Sequence, residues 1–400
     1  MSAFWSCSGH VTPPWAIIAL DQGVHETRAR PQSGPSLFCR EIQVNESIMD
    51  TTLLDYGLVP FFTQQTSPDE LEHGRIGRVT EVQRSVITVS DGSEELAIPL
   101  TSSWSSAPPE QRPTVGDWVV LDDQRSRIER VLDRKSIFRR VAAGEKSEIQ
   151  LIAANIDTLF VMTSCNEDFK ESRLERYLSL AAEAGVIPVI VLTKTDLSAD
   201  SDSYAERARR VQSGVAVESI NALDRSTLEG IRAWIKPGST IALVGSSGVG
   251  KSTLLNALAE TKLAATKEIR GQDQKGRHTT SHRALYRLPG GGLLVDVPGM
   301  RELKVADVDA ALRTVFDDIE AMASKCKFAD CGHGSEPGCA VRDAVENGCI
   351  EARRLRNYRK LLRENERNSA SLAEKRSQGR DFARTIKQAK AVKRNRETRK

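Results

Sequence analysis

The chain is predicted to be a multi-domain protein that joins a small β-barrel, an α/β domain with a mainly parallel sheet, and a small helical metal-binding domain. Three observations carry this expectation. From Gly74 to about Arg140, short alternating runs such as Ser85-Val86-Ile87-Thr88-Val89 and Asp117-Trp118-Val119-Val120-Leu121 are separated by turn signals at Asp91-Gly92 and Pro108-Pro109. After Ile149 nearly continuous apolar runs alternate with amphipathic stretches. Finally, three cysteines and a histidine crowd into residues 326 to 339.

Composition bounds the function classes. The 400 residues are 39% hydrophobic, enough for packed cores in two or three domains. No stretch reaches the roughly eighteen apolar residues of a membrane span, since Trp15 to Leu20 runs straight into Asp21 and Gln22. The opening residues lack the basic start and apolar core of a signal peptide, so a soluble, cytoplasmic protein without membrane partners is expected, and it is expected to be monomeric. The seven cysteines then read as thiols or metal ligands rather than disulfides. The formal net charge of +3 conceals an asymmetry: residues 351 to 400 hold 18 Lys or Arg against 6 Asp or Glu, leaving the rest of the chain near −9. A basic arm on an acidic body points to a polyanionic partner, of which nucleic acid is the commonest.

Taken in chain order, the elements are as follows. Residues 1–70 form an N-terminal extension that is disordered or arises from a mis-assigned start. Up to residue 48 it mixes Pro, Ser, Gly and scattered Trp without periodicity, and Met49 begins a more ordinary protein start. Residues 71–145 match in length a barrel of the oligonucleotide-binding (OB) type, with a generic β-domain as the alternative. In residues 149–305, Ile156 to Met162 and Val186 to Leu192 read as strands buried on both faces, with an amphipathic helix over Arg173 to Ala184 between them. Ile241 to Val244 and Leu293 to Asp296 continue the alternation. Residues 306–362 show helical patterning at Ala310 to Met322, then the cysteine-rich loop, then a helix from about Ile350. Residues 363–400 are a polar, basic tail.

The run Gly245-Ser246-Ser247-Gly248-Val249-Gly250-Lys251-Ser252 fits G-x-x-x-x-G-K-S, directly after an apolar strand and before the helical run that starts at Thr253. Its glycines let backbone N–H groups surround phosphates at a helix N-terminus. Lys251 is expected to reach the β- and γ-phosphates, and Ser252 to place its hydroxyl on Mg²⁺. Asp296-Val297-Pro298-Gly299 ends a strand, with Asp296 near the Mg²⁺ and the Gly299 N–H near the γ-phosphate. Thr193-Lys194-Thr195-Asp196 follows another buried strand. The Asp196 carboxylate can accept hydrogen bonds from N1 and N2 of guanine, which adenine does not supply, and the Lys194 stem can cover the base. Thr193 stands where the usual motif has Asn and lacks that amide. A helix cap with a stray lysine is the bland alternative.

Cys326, Cys331, His333 and Cys339 lie within fourteen residues, with Gly332, Gly334, Pro337 and Gly338 supplying turns. Three Cys and one His make a closed tetrahedral zinc shell, hence one structural zinc per chain. Cys349 is the competing fourth ligand, without comparable turn-forming neighbours, while Cys7, Cys39 and Cys165 read as ordinary thiols.

The order TKTD, GSSGVGKST, GRHTT at 276 to 280, and DVPG resembles the circularly permuted GTPases. With the barrel before it and the Cys/His cluster after it, roughly residues 70 to 345 resemble the bacterial ribosome small-subunit-dependent GTPase A family. The resemblance implies an OB barrel, a GTPase core with permuted motifs and a zinc domain. It also implies binding of GTP, GDP and ribosomal RNA, action in assembly of the small ribosomal subunit, and GTP hydrolysis stimulated by that particle. It further implies that 276 to 280 is a switch loop whose threonine, Thr280 in preference to Thr279, completes the Mg²⁺ shell. The fifth guanine-contacting loop is expected near Ser219 or Asn221-Ala222. Met300 stands where Ras-like GTPases place the Gln that orients water. His278 is the nearest candidate to replace it, the alternative being a residue that caps or packs the loop. A second function class stays open on the residues alone: a GTP-gated tether with negligible hydrolysis, which phosphate release would distinguish.

Overall fold

The computed structural model describes residues 51–141, 149–261, 283–296 and 308–369. The first of these residues form three short helices, α1 (Thr51–Asp55), α2 (Pro60–Thr63) and α3 (Pro68–Glu72). Within the extension expected over 1–70 to be disordered or to arise from a mis-assigned start, residues 51–70 are thus folded, and residues 1–50 lie outside the described residues. The reason is tertiary. Leu53, Leu58 and Phe62 are buried, and Phe62 packs on Trp118 with ring centroids 5.7 Å apart. Each such side chain contributes roughly 1.5–3 kcal/mol. Helices of four or five residues are too short to show a period, so this docking leaves no pattern to read.

Strands β1 (Ile76–Val82), β2 (Val86–Ser90) and β3 (Glu95–Pro99) form an antiparallel meander. After α4 (Ser102–Ser106), β4 (Trp118–Leu121) pairs with the other edge of β1, and β5 (Ile128–Val131) pairs with β4. Inward-facing Val79, Ile87, Val89, Ile98, Val119, Leu121 and Ile128 fill the OB-like barrel. Trp104 on α4 packs on this core, and its indole N–H donates to the Ile128 carbonyl at 3.0 Å, so a helix rather than strand pairing bridges β3 and β5.

The hairpin of β6 (Ile137–Val141) and β7 (Ile149–Ala154) straddles the expected boundary between barrel and core. Beyond it come β8 (Thr158–Ser164), α5 (Glu171–Ala184), β9 (Ile187–Thr193), α6 (Ser201–Arg209), β10 (Ala216–Ser219) and α7 (Glu229–Ala233). The core continues with β11 (Thr240–Gly245), α8 (Lys251–Ala259), β12 (Arg283–Arg287) and β13 (Leu293–Asp296). Strands β10, β9, β8, β11 and β13 lie side by side in that order, all parallel. Their side chains alternate between two cores. Val161, Ile190, Leu192 and Val244 face α5 and the C-terminal helices, whereas Phe160, Met162, Val189 and Leu243 face α8. Burial on both faces explains the nearly continuous apolar runs.

Antiparallel β12 closes the parallel set and also pairs with β1, so barrel and core share one mixed sheet of eleven strands. A register shift between Val79 and Glu81 marks a bulge, which bends β1 away from β4 and onto β12. Arg78, beside the bulge, is 2% exposed. Its guanidinium donates to Thr240 Oγ1 at 2.7 Å, to the Asn155 carbonyl at 3.1 Å, to the Gly116 carbonyl at 3.3 Å and to the Tyr56 carbonyl. Burial pulls its pKa down to about 10, although the carboxylates of Asp157 and Asp117 oppose the shift. At Gly57 (φ +83°) a Cβ would stand 2.3 Å from the Gly238 carbonyl oxygen, so glycine alone lets the N-terminal segment approach the core there.

Helices α9 (Asp309–Val315), α10 (Asp317–Ala323) and α11 (Ala340–Glu346), with a helix over 352–369, form the C-terminal region. The single helical stretch expected over 310 to 322 is two helices that turn at Phe316. Leu312, Val315, Phe316, Tyr358 and Leu361 belong to the same apolar core as α5. Asn365 is buried and accepts from the Val308 N–H at 3.2 Å, so the final helix runs past residue 362 as a packed element.

Candidate nucleotide and metal sites

The five parallel strands end at one edge of the sheet. From β8 the chain moves to β9 and β10 on one side, then crosses to β11 and β13 on the other, so the order reverses between β8 and β11. Such a reversal opens a crevice at the carboxyl ends of the strands, where open α/β sheets bind ligands. Two of the motifs, TKTD and GSSGVGKS, and the first residue of a third meet there. TKTD leaves β9, GSSGVGKS leaves β11, and Asp296 is the last residue of β13.

Thr193 is buried, and its hydroxyl lies 2.7 Å from the Val249 carbonyl, with the Thr163 carbonyl at 3.3 Å. The threonine in place of Asn therefore still ties the TKTD loop to the phosphate loop. Lys194 adopts a left-handed conformation (φ +57°) that turns the chain out of β9, and Thr195-Asp196-Leu197 form one helical turn with Asp196 exposed. Gly248 and Gly250 take positive φ (+79° and +101°), and Gly250 leads into α8, which begins at Lys251. A left-handed backbone at these points curls the loop so that its N–H groups can face a common centre. Ser246, Ser247, Gly248 and Gly250 are exposed or half-buried, whereas Gly245 and Val249 anchor the loop in the interior. The Lys251 ammonium donates to the carbonyls of Gly245 at 2.9 Å and Ser246 at 2.6 Å, folded over the loop it would share with phosphates. Ser252 and Thr253 are half-buried in the first turn of α8.

Next to β10, Asn221 Oδ1 accepts from the Leu223 N–H at 3.0 Å, and the Asn221 N–H donates to Thr227 Oγ1 at 3.1 Å. This compact turn follows β10, the neighbour of the strand that TKTD leaves, and Ala222 packs against the core that α8 faces. Ser219, the other candidate, is the exposed last residue of β10. His278, Thr280, Gly299 and Met300 lie outside the described residues, and Asp296 is placed by its backbone alone.

Sequence reasoning missed Asp168. It lies in the loop after β8, next to β11, and accepts from the Ser246 hydroxyl of the phosphate loop and from Arg173 of α5 at 2.6 Å. The available signal was position: Cys165-Asn166-Glu167-Asp168 is a polar run at the carboxyl end of a buried parallel strand.

In the C-terminal region the donor atoms of Cys326, Cys331, His333 and Cys339 all lie within 4.8 Å of one another and could hold a metal ion. His333 Nδ1 is 3.7 Å from Cys326 Sγ and 3.6 Å from Cys339 Sγ. Those separations match the edges, about 3.6–3.8 Å, of a tetrahedral shell with Zn–S near 2.3 Å and Zn–N near 2.0–2.1 Å. Hydrogen bonds shape the turns of the loop. Glu336 accepts from the N–H groups of Gly332 at 3.2 Å and Gly334 at 2.6 Å, and the Lys327 N–H donates to the Gly338 carbonyl at 3.0 Å. Burial opposes ionisation of Cys326, but backbone N–H groups of Val341 and Ala340 aimed at its sulfur prevail and lower its pKa. At Cys331 a backbone N–H from His333 favours the thiolate, yet burial and the two neighbouring sulfurs push the thiol up to about 11. Three thiols converging on one point need a cation before all can ionise, so the donor set fits a metal. Cys349 is exposed and does not belong to the group.

Comparison with known proteins places this arrangement. A sequence model described as RsgA GTPase matches residues 131–306. The chain is 44% identical over 345 residues, 86% of its length, to the small ribosomal subunit biogenesis GTPase RsgA 2 of Vibrio parahaemolyticus, covering 94% of that protein. It is 46% identical over 258 residues to the RsgA of Mesorhizobium japonicum, covering 64% of this chain and 74% of the relative. Among solved structures, YjeQ from Thermotoga maritima superposes with a TM-score of 0.54 at 28% identity, covering 72% of this chain and 98% of that one. YloQ, described as a circularly permuted GTPase, superposes with a TM-score of 0.52 at 26% identity, covering 74% and 96%. With TKTD and GSSGVGKS gathered at one sheet edge, and 44% identity to a relative of which it covers 94%, the chain belongs to the RsgA GTPase family.

Proposed function

We propose that this GTPase acts in maturation of the small ribosomal subunit, binding ribosomal RNA and hydrolysing GTP when the particle stimulates it. The observation that carries the reading is the convergence of TKTD and GSSGVGKS at the β8/β11 crevice, tied together by the Thr193 hydroxyl. The names of the relatives support the subunit, and the basic C-terminal residues suit an RNA partner. In this reading Asp196 accepts from guanine N1 and N2 while Lys194 covers the base. The loop N–H groups and Lys251 hold the β- and γ-phosphates. Ser252, Thr280 and Asp296 serve the Mg²⁺ that accompanies GTP, and Gly299 approaches the γ-phosphate. Met300 cannot orient water, so His278 takes that role and intrinsic turnover is slow. One zinc per chain, held by Cys326, Cys331, His333 and Cys339, supplies folding energy rather than chemistry, because the shell leaves no open position. A monomer working in the cytoplasm completes the proposal. Phosphate release from GTP should be slow for the free chain and rise at least tenfold with purified small subunits. Equal rates with and without the particle would overturn the ribosomal part of the reading.

A further inference from the structure

Asp168 connects the phosphate loop to α5. Its carboxylate takes the Ser246 hydroxyl on one oxygen and Arg173 Nη1 on the other, at 2.6 Å. The loop around it is built for this. The Asp168 N–H donates to Asn166 Oδ1 at 2.9 Å, which also accepts the Ser164 hydroxyl at 2.9 Å, and Arg173 bonds the Asp168 carbonyl at 3.3 Å. Phe169 packs edge-on against Tyr204, and the Arg207 guanidinium lies 4.6 Å from the Phe169 ring. The carboxylate thus has little freedom, and what it holds is the second residue of the phosphate loop. Ser246 is also one of the two residues whose carbonyls receive Lys251.

We propose that Asp168 is a positioning residue for the phosphate loop: its carboxylate, clamped by Arg173, fixes Ser246 and so holds GSSGVGKS in the shape that receives a nucleoside triphosphate. The proposal rests on the nucleotide-site reading above. A carboxylate near a phosphate site would by itself repel the ligand, and the Arg173 guanidinium offsets that charge while leaving the hydrogen bond to Ser246. Loop preorganisation acts on the ground state and the transition state alike, so its loss falls on KM rather than kcat.

The test uses the full-length chain with Mg·GTP, measuring affinity with a fluorescent N-methylanthraniloyl nucleotide and turnover by phosphate release. Asp168→Ala and Ser246→Ala should each weaken binding and raise KM by about tenfold, the effect of losing one hydrogen bond to a charged acceptor. kcat should change by less than about twofold. The double variant should be no weaker than the weaker single one, since both remove the same bond. Asp168→Asn keeps an acceptor for the Ser246 hydroxyl and should return KM to within about threefold of the parent. Additive effects, tighter binding in Asp168→Ala, or no rescue by Asn would each overturn the proposal while leaving the nucleotide site intact. An unmodified chain without saturable GTP binding would overturn both readings together.

Discussion

At Thr193 a hydroxyl, standing where the usual motif has an amide, ties two loops together. It reaches the Val249 carbonyl across the crevice, because β9 and β11 flank β8 and bring the two loops within hydrogen-bond distance. In the proposed reading base identity then falls to Asp196, which is exposed. Asp196→Asn should weaken GTP relative to the parent and leave xanthosine triphosphate less affected or improved, because the amide offers a donor to the xanthine oxygen. Competition of the two nucleotides for the site reads this directly, and unchanged preference for GTP would remove Asp196 from base recognition. Arg78 is the residue-scale counterpart for stability. Replacing it by Met strands the carbonyls of Tyr56 and Asn155 in the interior, while Gly116 keeps the Asn155 amide, and should cost roughly 3–5 kcal/mol. Thermal unfolding monitored by tryptophan fluorescence would show it. A midpoint unchanged from the parent would mean that the barrel, the N-terminal helices and the core do not depend on that side chain.

Among the elements, α5 joins the GTPase core to the C-terminal region. Glu175, fully buried on α5, accepts from Arg354 at 3.2 Å, Arg353 at 3.1 Å and Asn357, and Arg176 forms two bonds to Glu364 at 2.7 and 2.5 Å. Arg354 also bonds Asp318 on α10 through two nitrogens at 2.7 and 2.8 Å and lies 4.8 Å from the Phe316 ring. The helices that surround the Cys/His loop are therefore fastened to α5 by an apolar core and a buried ionic network, independently of any metal. Chelation should open the loop over 326–339 and leave α9 and the helix over 352–369 docked. Hydrogen exchange followed by mass spectrometry would show protection lost in the loop and kept in α5 and α9. Loss of protection throughout 308–369 would mean that metal binding holds the whole region, as in a zinc finger.

For the molecule as a whole, a charge-asymmetric chain presents its basic residues C-terminal to a helix that is itself part of the fold. Glu364 and Asn365 are structural partners, so a truncation that probes the tail must begin after residue 369. Residues 370–400 carry 11 Lys or Arg against 3 Asp or Glu. Their removal should weaken binding to ribosomal RNA and flatten its dependence on salt, since each lost phosphate contact removes close to one unit of slope. Binding isotherms at several salt concentrations test this, and an unchanged slope would place the phosphate contacts on the folded domains. Barrel and core share one sheet through β1 and β12, which joins the barrel to the strand pair that ends at Asp296.

Local chemistry was legible in the chain itself. The phosphate loop, the TKTD loop and the Cys/His cluster each lie within a short run whose residue types dictate geometry, and strands buried on both faces announce themselves by continuous apolarity. The amphipathic helix expected over 173 to 184 is α5, two residues longer at its start, because 3.6-residue periodicity is a property of the helix alone. What only the tertiary structure decided are the contacts between distant segments. The docking of residues 51–72 depends on a surface formed by β1 and β4, and the shared sheet depends on a bulge in β1 that carries no period. The partnership of Asp168 with Ser246 joins residues 78 positions apart that meet only because β8 and β11 are neighbours. A sequence records which groups are present and how they repeat along the chain, whereas pairing across such distances is set by the free energy of packing the whole sheet.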